Sequence, residues 1–178
     1  MRLLLTGGAA CGKSTYAKSQ LMSYQAPRYY IDTMYPCENE SLAKKKRHQK
    51  LRKNEDLIII EQYTDIGEIT FPARGTVLLE CLCNLTANEM FDENDNFRNR
   101  YGYDVVEKIA NDIKILETKC NMLIVVTNEV GGDGRIYEIG TREYVKALGK
   151  LNATLANRFE RVVELVCGIP QIRKGQLP

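Results

Sequence analysis

Eight residues near the start of the chain have the types and spacing needed to bind a polyphosphate. Glycines let a backbone curl so that several amide N–H groups face one anion, and a helix that begins at such a loop adds the positive end of its dipole. A lysine at the seventh position can reach the β- and γ-phosphates, and a serine at the eighth can bind Mg²⁺. The residues match G-x-x-x-x-G-K-[ST] and predict binding of a nucleoside triphosphate; they are Gly7, Gly8, Ala9, Ala10, Cys11, Gly12, Lys13 and Ser14.

This interpretation requires a buried strand before the loop and a helix after it. The apolar run at 3–6 predicts that strand, and residues 15–24 predict the helix. Further apolar runs predict strands at 28–33, 57–61, 76–80, 122–127 and 161–167, the last closing the sheet. Helical patterns occupy 41–53, 82–91, 103–119 and 138–159, and residues 168–178 form a tail. Strands that alternate with helices predict an α/β fold, with a mainly parallel sheet buried on both faces.

Length and composition indicate an ordinary globular protein. The 178 residues predict one domain, 1–178. A net charge of +2, from 25 basic and 23 acidic residues, is too near neutral to indicate a nucleic-acid or membrane partner. Neither a signal peptide nor an apolar run of membrane-spanning length is expected, which predicts a cytoplasmic protein. Six cysteines without a C-x-x-C pair are then expected to be free, small hydrophobic residues rather than disulfides or a zinc site.

Polar side chains at the ends of the predicted strands are the next candidates. In an open α/β sheet, ligands bind at the carboxyl ends of the strands. Those ends carry Asp32-Thr33, Glu61, Glu80 and Thr127-Asn128-Glu129. Glu80 resembles the acidic strand end that holds Mg²⁺ beside a phosphate loop, although Asp is more usual there. The alternative is a carboxylate that caps the following helix. We favour the first interpretation, with Ser14 and Glu80 as metal ligands.

His48 is the only histidine, and it lies in a dense run of lysines and arginines. One interpretation is a solvated surface helix, and another is a nucleic-acid patch, which the lack of interleaved aromatic residues disfavours. The third is catalytic. Like charges lower the pKa of a histidine, so the imidazole stays neutral and nucleophilic. The surrounding cations would also neutralise an incoming polyphosphate, which suits attack on a phosphorus atom.

Taken together, these motifs resemble the bifunctional adenosylcobinamide kinase / adenosylcobinamide-phosphate guanylyltransferase family of cobalamin biosynthesis. The resemblance runs nearly end to end. It covers TGGAACGKS, the spacing from Glu40 to His48 followed by Arg52, and Glu61. It continues through VLLECLCNLTANEMF at 77–91, VVTNEVG at 125–131, GKLN at 149–152 and VELVCGIPQIRKG at 163–175. Many families share the phosphate loop, whereas far fewer families share the later sequence blocks.

The resemblance implies two reactions and a set of residue roles. The family phosphorylates adenosylcobinamide with ATP or GTP, then transfers GMP from GTP to the product through a GMP–histidine intermediate. His48 matches that histidine. Residues 7–14 would hold the nucleotide phosphates with Mg²⁺, and Thr33, Arg52, Glu61 and Glu80 would lie near the guanosine or its phosphates. The resemblance also implies a RecA-like P-loop NTPase fold and a homo-oligomer, such as a trimer.

Several segments depart from the family pattern. Lysine and arginine at 45–47 precede the histidine, no Trp is present, and the residues at 132–136 and 144–146 differ. The last two segments would meet the corrinoid or a neighbouring subunit, so a relative with one activity or another alcohol as substrate stays open. An alternative from another functional class of proteins is a RecA-like ATPase that acts on nucleic acid or protein.

Overall fold

A computed structural model describes residues 1–35, 57–92, 96–98, 102–131 and 137–176. Seven strands form one sheet in the order β3-β2-β4-β5-β1-β6-β7, so that β1 lies between β5 and β6. Neighbouring strands are parallel except for the pair β6–β7. The strands are β1 Arg2–Thr6, β2 Arg28–Asp32, β3 Leu57–Glu61, β4 Thr76–Glu80, β5 Met122–Val126, β6 Arg161–Val166 and β7 Ile169–Lys174.

Four α-helices in the described part of the chain cover the two faces of this sheet. They are α1 Lys13–Ser23, α2 Leu82–Met90, α3 Gly102–Lys119 and α4 Ile139–Arg158. One core joins Leu3 and Leu5 of β1 to Leu21 of α1. The other joins Leu4 of the same strand to Leu85, Ile109 and Leu151 of α2, α3 and α4. Alternate residues of β1 therefore point to opposite cores, which confirms the α/β fold and the sheet buried on both faces.

The prediction of a tail at 168–178 is wrong, because residues 169–174 form β7 and β6 does not close the sheet. A two-residue turn reverses the chain between these strands, with positive φ angles at Cys167 (50°) and Gly168 (82°). Two positive φ angles suit a tight β-hairpin turn. Pro170 cannot donate a ladder hydrogen bond and is tolerated at a sheet edge. β7 is mostly exposed, so no apolar pattern marks it in the sequence.

The other predicted elements fall close to the observed ones. Within the described residues, the bounds of these predicted helices and strands match the structure to within two residues, and 57–61 and 76–80 match it fully. The predicted cationic helix at 41–53, with His48 and Arg52, lies outside the described residues.

Cys11, Cys81, Cys83, Cys120 and Cys167 are free thiols. Within the described ranges, no helix has the length and apolar character needed to span a membrane.

A partly buried ionic cluster ties α2 and α3 to the turn that follows β3. Three carboxylates, Asp65, Glu89 and Asp112, have oxygens within 4.8 Å of one another. Such a group could bind a metal ion, but the ammonium group of Lys108 binds all three, at 2.8 Å from Asp65 and from Asp112 and closely against Glu89. Glu89 is only 1% exposed. Burial alone would lower the pKa of Lys108, but its hydrogen bonds to the three carboxylates outweigh burial and raise that pKa.

Candidate functional site

The phosphate loop joins the end of β1 to the start of α1. Gly7 and Gly12 have φ angles of 140° and 95°, which glycine adopts readily. Lys13 is 6% exposed, and its ammonium group donates hydrogen bonds to the carbonyl oxygens of Gly7, at 3.0 Å, and Gly8. The amide of Gly168 in the β6–β7 turn donates to the carbonyl of Cys11 at 3.0 Å. The loop is thus held from inside by Lys13 and from outside by the hairpin.

We expect Gly7→Ala to destabilise the protein by about 2–4 kcal/mol, from backbone strain and steric overlap together. A Cβ atom at this position would lie 2.5 Å from the carbonyl oxygen of Leu165. Urea unfolding would measure the change. Gly8→Ala is the matched control, since its Cβ would meet nothing within 4 Å. Equal stability of the two variants would contradict the steric argument.

A cavity of about 420 Å³ opens between this loop and the carboxyl ends of β2, β4 and β5. The residues that line it come from the phosphate loop and from the strand ends. They are Ala9, Ala10, Cys11, Gly12, Lys13, Ser14, Thr15, Asp32, Met34, Glu80, Cys81, Asn84, Val126 and Asn128. The structure therefore brings the predicted residues 9–14 and Glu80 together. The order of the sheet explains this, because β5 alone separates β1 from β4.

Glu80 is held firmly at the wall of the cavity. Its side chain is 8% exposed and accepts a hydrogen bond of 2.7 Å from the hydroxyl of Tyr30. The backbone around it is fixed by Thr33, whose amide donates to the carbonyl of Glu80 at 3.1 Å. The hydroxyl of Thr33 also donates to the carbonyl of Cys81 and accepts from its amide, each at 2.9 Å. A carboxylate fixed in this way can bind a cation or orient a polar ligand.

The other predicted residues occupy different positions. Thr33 is fully buried and does not line the cavity. Glu61 is exposed at the end of the edge strand β3, where it accepts a hydrogen bond of 2.8 Å from the hydroxyl of Tyr63. Partial burial, and then the contact with Glu61, raise the pKa of Tyr63 to about 12, so its hydroxyl stays a donor at neutral pH. His48 and Arg52 lie outside the described residues.

Asp32 also lines the cavity. The sequence places this residue at the end of a predicted strand, but it was not among the predicted site residues. It is fully buried, lines the cavity and pairs in register with Glu80 on the neighbouring strand. Its Oδ1 accepts a hydrogen bond of 3.0 Å from the amide of Met34. The position of Asp32 at the end of a strand could have identified it as a site residue. The prediction named its neighbour Thr33 instead.

A buried polar cluster supports the cavity behind α2. The sulfur of Cys83 accepts a hydrogen bond from the amide of Asn128 at 3.2 Å. A hydrogen bond from the thiol of Cys81 holds the pKa of Cys83 below its usual value, although burial opposes this change. On the other side, Thr127 donates to Asn152 of α4 at 2.7 Å, and Asn152 donates to the carbonyl of Asn128 at 3.0 Å. The end of β5 is therefore fixed by α2 and α4.

Comparisons with known proteins show the family to which the chain is similar. A model of the family described as cobinamide kinase / cobinamide phosphate guanyltransferase matches residues 3–172. Two relatives are each named bifunctional adenosylcobalamin biosynthesis protein CobU. The one from Escherichia coli (strain K12) is 29% identical over 182 residues, and the one from Salmonella typhimurium is 28% identical over 193. Both alignments cover 95% of this chain and 97% of the relative.

One solved structure, a Pyrococcus horikoshii OT3 protein, superposes with a TM-score of 0.52 at 9% identity. The superposition covers 98% of this chain and 86% of that protein. At that identity, the likeness concerns the fold alone.

Proposed function

The chain belongs to the cobinamide kinase / cobinamide phosphate guanyltransferase family, and we propose that it catalyses both reactions on adenosylcobinamide. In the first, ATP or GTP donates its γ-phosphoryl group to the aminopropanol hydroxyl of the corrinoid. In the second, GTP transfers GMP to His48 with release of pyrophosphate, and the new phosphate then accepts GMP from the histidine. The product is adenosylcobinamide-GDP.

The observation that supports this proposal is the placement of Lys13 and Glu80 in one cavity with the N-terminus of α1. Backbone N–H groups and the helix dipole favour a bound phosphate there. Lys13 adds a positive charge that is already in place and buried, which stabilises charge developing on the transferred group. Catalysis of phosphoryl transfer rests largely on such positioning and charge.

The same cavity suits Mg²⁺, a cation that prefers oxygen ligands. The hydroxyl of Ser14 and the carboxylate of Glu80 both line it, and we propose that they hold the ion with the nucleotide phosphates. When bound, Mg²⁺ would neutralise phosphate charge. Thr33, Arg52 and Glu61 are proposed to lie near the guanosine or its phosphates, with Thr33 acting through its fixed backbone.

We further propose that residues 1–178 work as one domain, within a homo-oligomer such as a trimer. Nucleotides and the corrinoid are its proposed partners, with no part for nucleic acid or a membrane. The five free thiols of the described residues suit the reducing cytoplasm, where we place the protein.

We expect a covalent GMP adduct after incubation with GTP and Mg²⁺, because a neutral imidazole can attack the α-phosphorus. Intact-protein mass spectrometry would detect it as an acid-labile gain that His48→Ala abolishes. The control is binding of GTP by the variant. If GTP binds to the wild type and no adduct forms, the histidine mechanism is wrong, and a kinase with one activity becomes the better description.

A further inference from the structure

We propose that Asp32 is the general base of the kinase reaction, accepting the proton of the alcohol that attacks the γ-phosphorus. This inference rests on the proposed function, because it concerns the acceptor side of the same cavity. It assigns a catalytic role to a residue outside the phosphate loop and distinct from the nucleophile His48.

The position of Asp32 is fixed by the sheet and by its own backbone. It ends β2, directly beside Glu80 in the parallel register. The amide of Met34 donates to its Oδ1 at 3.0 Å, which sets the orientation of the carboxylate. Among the described residues, Asp32 and Glu80 are the two carboxylates that line the cavity. Because Glu80 is hydrogen-bonded to Tyr30 and lies nearer the phosphate loop, the two carboxylates can take different tasks.

The order of strands places Asp32 on the side from which the acceptor must arrive. The phosphate loop follows β1, and β5 and β4 separate that strand from β2. At about 4.8 Å per strand, β2 is roughly 14 Å from β1. The attacking oxygen in phosphoryl transfer must be in line with the leaving oxygen, on the far side of the γ-phosphorus. Asp32 and Met34 form the part of the cavity wall that lies farthest along the sheet from Lys13 and Ser14, and we place the acceptor alcohol there.

The chemical step balances without any further reactant. The alcohol O–H bond breaks as its proton passes to the Asp32 carboxylate, and the oxygen forms a bond to the γ-phosphorus. The bond between that phosphorus and the β–γ bridging oxygen breaks, and its electron pair leaves with the nucleoside diphosphate. Lys13 offsets the negative charge on the phosphates. The proton then passes from Asp32 to solvent, which restores the carboxylate.

Glu129, a strand-end carboxylate whose backbone contacts the phosphate loop, does not fit this task. Its side chain is exposed and is not among the residues that line the cavity. Its amide donates to the carbonyl of Gly7 at 3.4 Å, so its backbone braces the loop. A suitable control is Glu107→Gln, which changes an exposed carboxylate of α3 that is not among the residues that line the cavity.

We expect Asp32→Asn to lower kcat of the kinase reaction by about 10²-fold, within the usual range for loss of a general base. KM for ATP should change by less than about threefold. GMP transfer to adenosylcobinamide phosphate should be preserved, because the accepting phosphate is already ionised and has no proton to lose. Steady-state assays of the two reactions, on the same wild-type and variant preparations, would measure this difference. Glu107→Gln should match the wild type in both.

Three outcomes would overturn the assignment: wild-type kcat in Asp32→Asn, an equal loss in both reactions, or full recovery at higher Mg²⁺, which would make Asp32 a metal ligand. Asp32→Ala provides a second test if the first variant folds poorly. Added formate, a small carboxylate, should raise its kinase rate and leave its GMP transfer unchanged. No increase with formate would count against the base. If wild-type protein phosphorylates no adenosylcobinamide in the same assay, the proposed function itself fails, and the role of Asp32 fails with it.

Discussion

Replacing Lys13 with methionine should lower kcat/KM of the kinase reaction by about 10³-fold, the upper range for loss of one preorganised donor. Lys13 is buried at the floor of the cavity, and its ammonium group is held by the carbonyls of Gly7 and Gly8. Methionine has a similar length, so the loop keeps its packing and loses the charge. Transfer of the γ-phosphoryl group to adenosylcobinamide, followed with radiolabelled ATP, is the direct measurement.

The control for this experiment is Lys114→Met, which removes the same charge from an exposed position on α3. It should retain wild-type rates, since Lys114 is not among the residues that line the cavity. Urea unfolding of both variants would separate an effect on chemistry from one on folding. Activity of the Lys13 variant above a tenth of the wild-type value would mean that the phosphate loop works through its backbone alone.

Lys108→Met should reduce the free energy of unfolding by about 3–5 kcal/mol, the loss expected when one partner of a buried ion pair is removed. The ammonium group of Lys108 is the cation shared by Asp65, Glu89 and Asp112. Without it, Glu89 would be a buried carboxylate next to two others, although the amide of Asp65 would still donate to it at 2.8 Å. Urea unfolding at neutral pH measures the change.

Two comparisons make the result specific. Lys114→Met alters an exposed residue of the same helix and should change stability by less than about 0.5 kcal/mol. Lys108→Met combined with Glu89→Gln should recover part of the loss, because the amide carries no charge to bury. If Lys108→Met unfolds at the same urea concentration as the wild type, the cluster is solvated and contributes little.

The fold was predictable wherever burial imposes a pattern on the sequence. Leu3, Leu4 and Leu5 point alternately to two cores, so β1 appears as a continuous apolar run that is easily assigned. β7 has no such pattern, because it is an exposed edge strand held by hydrogen bonds to β6 and by the ion pair of Arg173 with Glu164. Hydrogen bonding of the main chain leaves no signature in side-chain types, and the strand was therefore taken for a tail.

The site was predictable to a similar degree. The phosphate loop and Glu80 could be assigned because one is a motif and the other ends a buried strand. Asp32 ends β2 and Thr33 follows it, and the sequence does not reveal which of the two side chains faces the cavity. The structure distinguishes them, since Asp32 lines the cavity and the hydroxyl of Thr33 binds the backbone of Cys81. The direction of a side chain at a strand end depends on how the next segment turns.

The central place of β1 in the sheet has a consequence for biosynthesis. Leu5 pairs with Val126 on one side and with Val163 on the other. A ribosome adds about 5–20 residues per second, so roughly 8–30 s pass between Leu5 and Val163. For about the first 6–24 s of that time, until Val126 is made, the apolar strand that begins the nucleotide site has neither of its neighbours. The nascent chain therefore depends on α1, or on a chaperone, to shield β1 until the last strands leave the ribosome.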